Sequence, residues 1–137
     1  MLDRDPAEHE RFWADGRSAH LRDADGRVRR LSARPADRLA DAMMTTTHPD
    51  LFAAGEERRG FEAVKSAVRA CRYGGDCYTY CLLAAGHIDV IVEAGLKPYD
   101  VTALVPIIER AGGVITTWTG EPASRGGRIL AAGDPRI

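Results

Sequence analysis

The sequence predicts an α/β layered sandwich, with a β-hairpin-rich front followed by a mixed sheet flanked by helices. Three observations carry this expectation. Residues 1–47 hold short strand-like stretches around an Asp-Gly turn. From residue 48 onward, strand patterns and helix patterns take turns, as they do in layered α/β folds. One of the later strands, His87 to Ala94, alternates at first and then turns continuously apolar, the signature of a buried strand.

The elements follow in order. "ERFWA" (10–14) reads as a strand punctuated by Gly16. "DADGR" (23–27) contains Asp-Gly, a dipeptide that tolerates the positive φ of tight hairpin turns, and "AHL" and "VRRL" are its two arms. Pro35 closes this region, and "LADAMMTTT" (39–47) is expected as a strand ending in hydroxyls. "HPDLFAAG" reads as a short helical turn with Gly55 as its stop. Glu56 to Ala70 places Phe61, Val64, Ala67 and Val68 at helical spacing between charges. "CRY" is a short strand, and "DCYTYCLLAAG" is a helix with Asp76 as N-cap and Gly86 as its end. After the His87–Ala94 strand, "DVTALVPIIERAGG" (100–113) is a helix ended by Gly112 and Gly113, with Pro106 expected to kink it or displace its start. "GVITTW" and "GRILAA" are the last strands, around the polar loop "TGEPASRGG". The organisation is a single domain, in which 1–47 continue a central sheet and 48–137 form an α/β unit.

Composition narrows the function classes. With 45% hydrophobic and 28% charged residues, the 137-residue chain is ordinary for a globular domain. A net charge of -1 gives no electrostatic case for nucleic acid or an anionic membrane. No apolar stretch approaches the roughly 20 residues of a membrane helix, and "MLDRDPAEHERFW" has no signal-peptide apolar centre. A cytoplasmic protein is the expectation. Only Lys65 and Lys97 are lysines among the 19 basic residues, a bias that points to genome composition as much as to function. Cys71, Cys77 and Cys81 are odd in number, which favours reduced thiols over a disulfide framework. No CxxC pair exists and His87 is the only nearby imidazole, so these cysteines are expected to fill the core. His9, His20 and His48 have no visible partner in the sequence and are expected at the surface.

Two stretches carry candidate chemistry. Gly74-Gly75-Asp76 sits at a strand-to-helix junction, where glycines permit a sharp turn and the first N–H groups of the helix can face an anion; the competing reading is a plain capped helix start. Glu93 ends a strand and Asp100 opens a helix after "GLKP". Carboxylates at the carboxyl ends of strands are where α/β proteins collect ligands, although a solvated strand end and an N-cap explain the same residues. Two such oxygen ligands suit Mg²⁺, which takes one or two carboxylates together with water and phosphate oxygens.

The order "GGDCYTYCLLAAGHIDVIVEAGLKPYDVTALVPIIERAGGVITTWTG" resembles the carboxyl half of the inositol monophosphatase family of Mg²⁺-dependent phosphatases. The family's Trp-Asp pair stands here as Tyr99-Asp100, and its Glu-Ala-Gly-Gly helix end as Glu109-Arg110-Ala111-Gly112-Gly113. "RYGGDCY" and "EAGLKPYD" are most similar to the histidinol-phosphate phosphatase branch, which serves histidine biosynthesis. The resemblance implies the layered fold of the sugar-phosphatase type, Asp100 as a ligand of catalytic Mg²⁺, and Asp76 and Glu93 facing the substrate beside the Gly74-Gly75 backbone. It implies a small phosphorylated substrate, L-histidinol phosphate before an inositol or sugar phosphate, because a cationic amine and imidazole suit acidic Asp76 and Glu93.

The family's other metal ligands lie in an acidic Glu-Glu pair and an Asp-Pro-Ile-Asp-Gly-Thr segment. The latter does not occur here, and "EERR" (56–59) falls after the hairpin on an expected solvated helix face. "MLDRD" (1–5) resembles a stretch internal to the family. The expectation is therefore half of a catalytic site, completed by a missing amino-terminal half, with self-association or a non-catalytic role by association as alternatives.

Overall fold

The computed structural model describes residues 9–137, so "MLDRD" lies outside the described residues. Three strands, β1 (Arg11–Ala14), β2 (Ala19–Arg22) and β3 (Val28–Arg30), form an antiparallel sheet in that order. The hairpin forms as the Asp-Gly signal requires. Gly26 sits at φ +84 and donates to the Asp23 carbonyl, and the Asp23 N–H donates to the Arg27 carbonyl. These three strands pair only with one another; of the described residues up to 47, β4 (Met43–Thr46) alone joins the larger sheet. The strand expected over 39–47 is shorter because Leu39–Asp41 is a 3-10 turn, whose carbonyl at Leu39 takes the Ala42 N–H. His20 is half-buried rather than a bare surface residue: its ring stacks on Trp13 at 5.2 Å, and its Nε2 lies 3.0 Å from Asp15.

The second sheet has five strands in the order β5-β4-β6-β8-β7. Its remaining members are β5 (Ala70–Tyr73), β6 (Val90–Leu96), β7 (Val114–Thr117) and β8 (Gly127–Ala132). β4 runs parallel to both β5 and β6, while β8 is antiparallel to β6 and β7. The chain thus leaves β4 in one direction, through α1 (Glu56–Ala67) to β5, then crosses back through α2 (Asp76–Ala84) to β6 on the other side. Right-handed crossovers in opposite directions put the two helices on opposite faces. Strand alternation agrees. Met44, Val90, Val92 and Ala94 pack with Phe52 and Phe61 on the α1 face, whereas Ile91, Ile129 and Ala131 pack with Tyr80, Leu83 and Ile108 on the other. A third cluster of Ala19, Leu21, Leu31, Ala84, Ile107 and Ala111 joins α2 and α4 (Leu104–Arg110) to the small sheet. The layers are α1, five-stranded sheet, the remaining helices, then three-stranded sheet. The α/β layered sandwich is as expected.

Helix ends depart from expectation in three places. Gly55, at φ +100, is the N-cap of α1 rather than the stop of the turn before it, which is a 3-10 turn at Pro49–Leu51. The helix expected over 100–113 is split into α3 (Pro98–Val101) and α4; Pro106 lies in the first turn of α4, where its missing N–H costs least. Asp76 does not cap α2 with its side chain. The N-cap is Gly75, and Asp76 is the first helical residue, at φ +44. The ends at Gly86 and Gly112 are as read: at Gly86 the paired bonds Gly86 N–H to Leu83 and His87 N–H to Leu82 close the helix in a left-handed cap. Among the described residues no helix is long and apolar enough to cross a membrane.

Candidate functional site

The site is built at the carboxyl ends of parallel β4, β5 and β6, where the strand order reverses and a crevice opens. An open cleft of about 370 Å³ lies there, lined by Thr47, Asp76, Cys77, Tyr80, Glu93, Leu96, Tyr99 and Asp100. The three carboxylates singled out in the sequence therefore meet in one place. Gly74 and Gly75 do not line the cleft; they form the turn that delivers Asp76 and Cys77 to it.

That turn is unusual in hand. Gly74 (φ +94), Gly75 (φ +91) and Asp76 (φ +44) are consecutive left-handed residues. A Cβ on Gly75 would collide with the methyl of Thr79, so both conformation and space call for glycine. The Gly74 N–H is not free for an anion, because it donates to the carbonyls of Thr46 (3.1 Å) and Thr47 (2.9 Å). Tyr78, in the first turn of α2, donates its hydroxyl to Glu10 Oε2 at 2.7 Å and packs edge-on against Phe12. This ties the cleft wall to the three-stranded sheet.

Glu93 is not an open strand end. It lies inside β6, only 2% exposed, and three donors hold its carboxylate. The Thr47 N–H (3.0 Å) and the Thr47 hydroxyl donate to Oε1, and the Tyr80 hydroxyl donates to Oε2 at 2.9 Å. Burial, followed by the Glu93 charge, pushes the Tyr80 phenol far above its ordinary value, so it stays a donor. A break in the β6–β8 register between Glu93 and Leu96, with Gly95 at φ +76, lets the chain swing to the next lining residues. There Asp100 is exposed, and its Oδ2 accepts the Lys97 N–H at 2.7 Å. Its Oδ1 has no partner among the described residues, and neither carboxylate oxygen of Asp76 accepts a bond there either, so both side chains leave oxygens open to the cleft.

Thr47, Tyr80 and Leu96 were not singled out by the sequence. The signal for Tyr80 was its position four residues after Asp76, on the same helix face. The expectation of three core cysteines holds for Cys81, which is buried, with its thiol pushed up to about 12 first by burial, and in part for Cys71, which packs at the edge of the α1-side core. Cys71 is half-buried and Cys77 is exposed on the cleft wall, because the left-handed turn directs the start of α2 into the crevice. "EERR" is engaged rather than merely solvated: Glu57 Oε1 accepts from Arg128 Nε (2.9 Å) and its Oε2 from the Ala53 N–H (2.8 Å). Among the described residues no three His, Cys, Asp or Glu side chains converge as a metal cluster. Among the described residues, the cleft is lined by three carboxylates and by no lysine, arginine or histidine.

Residues 4–137 match the inositol monophosphatase family. The chain is 42% identical over 116 residues to the chloroplastic bifunctional phosphatase IMPL2 of Arabidopsis thaliana, covering 78% of this chain and 33% of that protein. It is 31% identical over 127 residues to the histidinol-phosphatase of Mycobacterium tuberculosis, covering 92% of this chain and 49% of that one. Among solved structures, an inositol monophosphatase from Zymomonas mobilis superposes with a TM-score of 0.76 at 36% identity, over 88% of this chain and 49% of that one. The chain spans a third to a half of the length of these two curated relatives.

Proposed function

Since the chain belongs to the inositol monophosphatase family, we propose that it forms the substrate-side wall of a phosphomonoesterase site whose leaving group is cationic, with L-histidinol phosphate as the substrate. The observation that carries this is the acidity of the cleft, where Asp76, Glu93 and Asp100 line one crevice with no basic side chain among the described residues. Such a surface favours an ammonium or imidazolium group over a neutral polyol.

The family is generally Mg²⁺-dependent, and the donors fit a limited share of such a site. Mg²⁺ binds through one or two carboxylates and fills its shell with water and phosphate oxygens, and Asp100 offers one such oxygen. Bound there, the ion would neutralise phosphoryl charge and lower the pKa of a water. Glu93, with both oxygens engaged by Thr47 and Tyr80, serves better as a fixed acceptor for the leaving group than as a metal ligand. Asp76, exposed at the helix start, turns its charge towards the same group. The sequence contains no Asp-Pro-x-Asp-Gly-Thr segment, so the groups that orient an attacking water are not supplied by these residues.

The test is calorimetric binding together with phosphate release in Mg²⁺. We expect the purified chain to bind L-histidinol in preference to myo-inositol, to lose that preference in Asp76→Asn, and to release phosphate from L-histidinol phosphate slowly or not at all. Robust turnover by a mass-verified chain would refute the partial-site reading, and preference for myo-inositol would refute the substrate. The 36% identity to the Zymomonas mobilis inositol monophosphatase favours that second reading, a neutral sugar or inositol phosphate.

A further inference from the structure

Among the nine aromatic residues of the described chain, eight are engaged with a neighbour. Phe12 meets Tyr78, Trp13 meets His20, and Phe52 stacks between Phe61 and Trp118. Tyr80 donates to Glu93, and Tyr73 lies near enough to Lys65 to help hold that ammonium's pKa up. Tyr99 has no aromatic, cationic or hydrogen-bonded partner among the described residues, and at 80% it is the most exposed of the large apolar side chains. A lone exposed ring by itself means little. This one lines the acidic cleft, and its backbone is fixed on both sides.

Pro98 presets the turn, the Asp100 N–H and carboxylate close a reciprocal pair with Lys97, and the Thr102 N–H and hydroxyl both return to the Pro98 carbonyl. Val101 anchors the segment with a fully buried side chain. Behind it, the turn at Ala123–Arg125 ends in Gly126, where a Cβ would stand 2.6 Å from the Leu96 carbonyl. An ordered backbone thus holds a free ring at the lip of a crevice, which limits the entropy lost when the ring meets a ligand.

We propose that Tyr99 determines specificity, its ring stacking on a planar, cationic heteroaromatic leaving group whose ammonium faces Asp76 and Glu93. This rests on the reading of the cleft as the seat of a cationic phosphomonoester. An aromatic face attracts a flat cation through both stacking and its quadrupole, and gains nothing comparable from an aliphatic amino alcohol.

The experiment is a cycle between residue and ligand on the full chain in Mg²⁺, by calorimetry, with L-histidinol and the ringless L-alaninol as probes. Tyr99→Ala should weaken L-histidinol about three- to tenfold and leave L-alaninol unchanged, and Tyr99→Phe should restore L-histidinol. An unchanged melting temperature checks that the variant stays folded, as the exposure of the ring predicts. Equal losses for both probes, or none for L-histidinol, would overturn the proposal for Tyr99 while leaving the cationic cleft intact. If the unaltered chain binds neither probe, the reading of the cleft fails, and the role of Tyr99 with it.

Discussion

Replacing Tyr80 with phenylalanine removes one oxygen and keeps the ring. Tyr80 is 1% exposed, so the packing against Leu83, Ile91 and the rest of that cluster is retained. What is lost is the bond from the hydroxyl to Glu93 Oε2 at 2.9 Å, between two nearly inaccessible side chains at the floor of the cleft. The remaining donors, both from Thr47, bind the other oxygen, so Oε2 is left without one. A hydrogen bond to a charged, buried acceptor contributes about 1.5–3 kcal/mol. For a 137-residue chain the unfolding entropy is about 0.3 kcal/mol per kelvin, so Tyr80→Phe should lower the melting temperature by about 5–10 °C. Urea denaturation should show the same loss in the midpoint with an unchanged slope. A change below about 0.5 kcal/mol, or a gain, would mean that the Tyr80–Glu93 bond does not hold the cleft floor, and the picture of Glu93 as a fixed acceptor would fall.

Three further outcomes are expected. Gly75→Ala forces a left-handed conformation on an L-residue and drives its methyl into Thr79, so it should cost at least about 1–2 kcal/mol in denaturant unfolding; a neutral effect would contradict the turn geometry. In a thiol-reagent assay Cys77 should react fast and Cys81 not at all until unfolding, with L-histidinol slowing Cys77; rapid labelling of Cys81 would contradict its burial and raised pKa. Burial alone would raise the Asp89 pKa, but Arg34 at 2.6 Å and the Met43 N–H at 2.8 Å outweigh it, so the folded value lies below the ordinary one. The stability this supplies is complete above the unfolded pKa of about 4 and is lost as pH falls through the folded value. Acid titration of Asp89→Asn should therefore show a shallower loss of stability than the parent chain.

Much of the frame could be read locally. Asp25-Gly26, Gly86 and Gly112 terminate their elements as the sequence indicates, because a left-handed turn needs little beyond its own residues. The alternation in β6 likewise marks its two buried faces. The candidate site was only half legible. Asp76, Glu93 and Asp100 stood out as carboxylates at element ends, but what holds Glu93 comes from Thr47, 46 positions away, and Tyr80, 13 away. Those partners are set by parallel pairing and a crossover, which no local period records. Asp76 looked like an N-cap because residue type favours that role; the glycine before it took the position, leaving the carboxylate out of the backbone's service.

β4 is strung between two acidic side chains of its neighbour. The Met43 N–H meets Asp89 at one end, and the Thr47 N–H meets Glu93 at the other, four residues apart on both segments. A slip of β4 by a single residue would strip a donor from both carboxylates at once while exchanging the residues on its two faces. The alignment of these strands is consequently all or nothing, and Arg34, bound to Asp89 at 2.9 and 2.6 Å at the end of the sheet away from the cleft, helps hold the cleft floor in register without touching it.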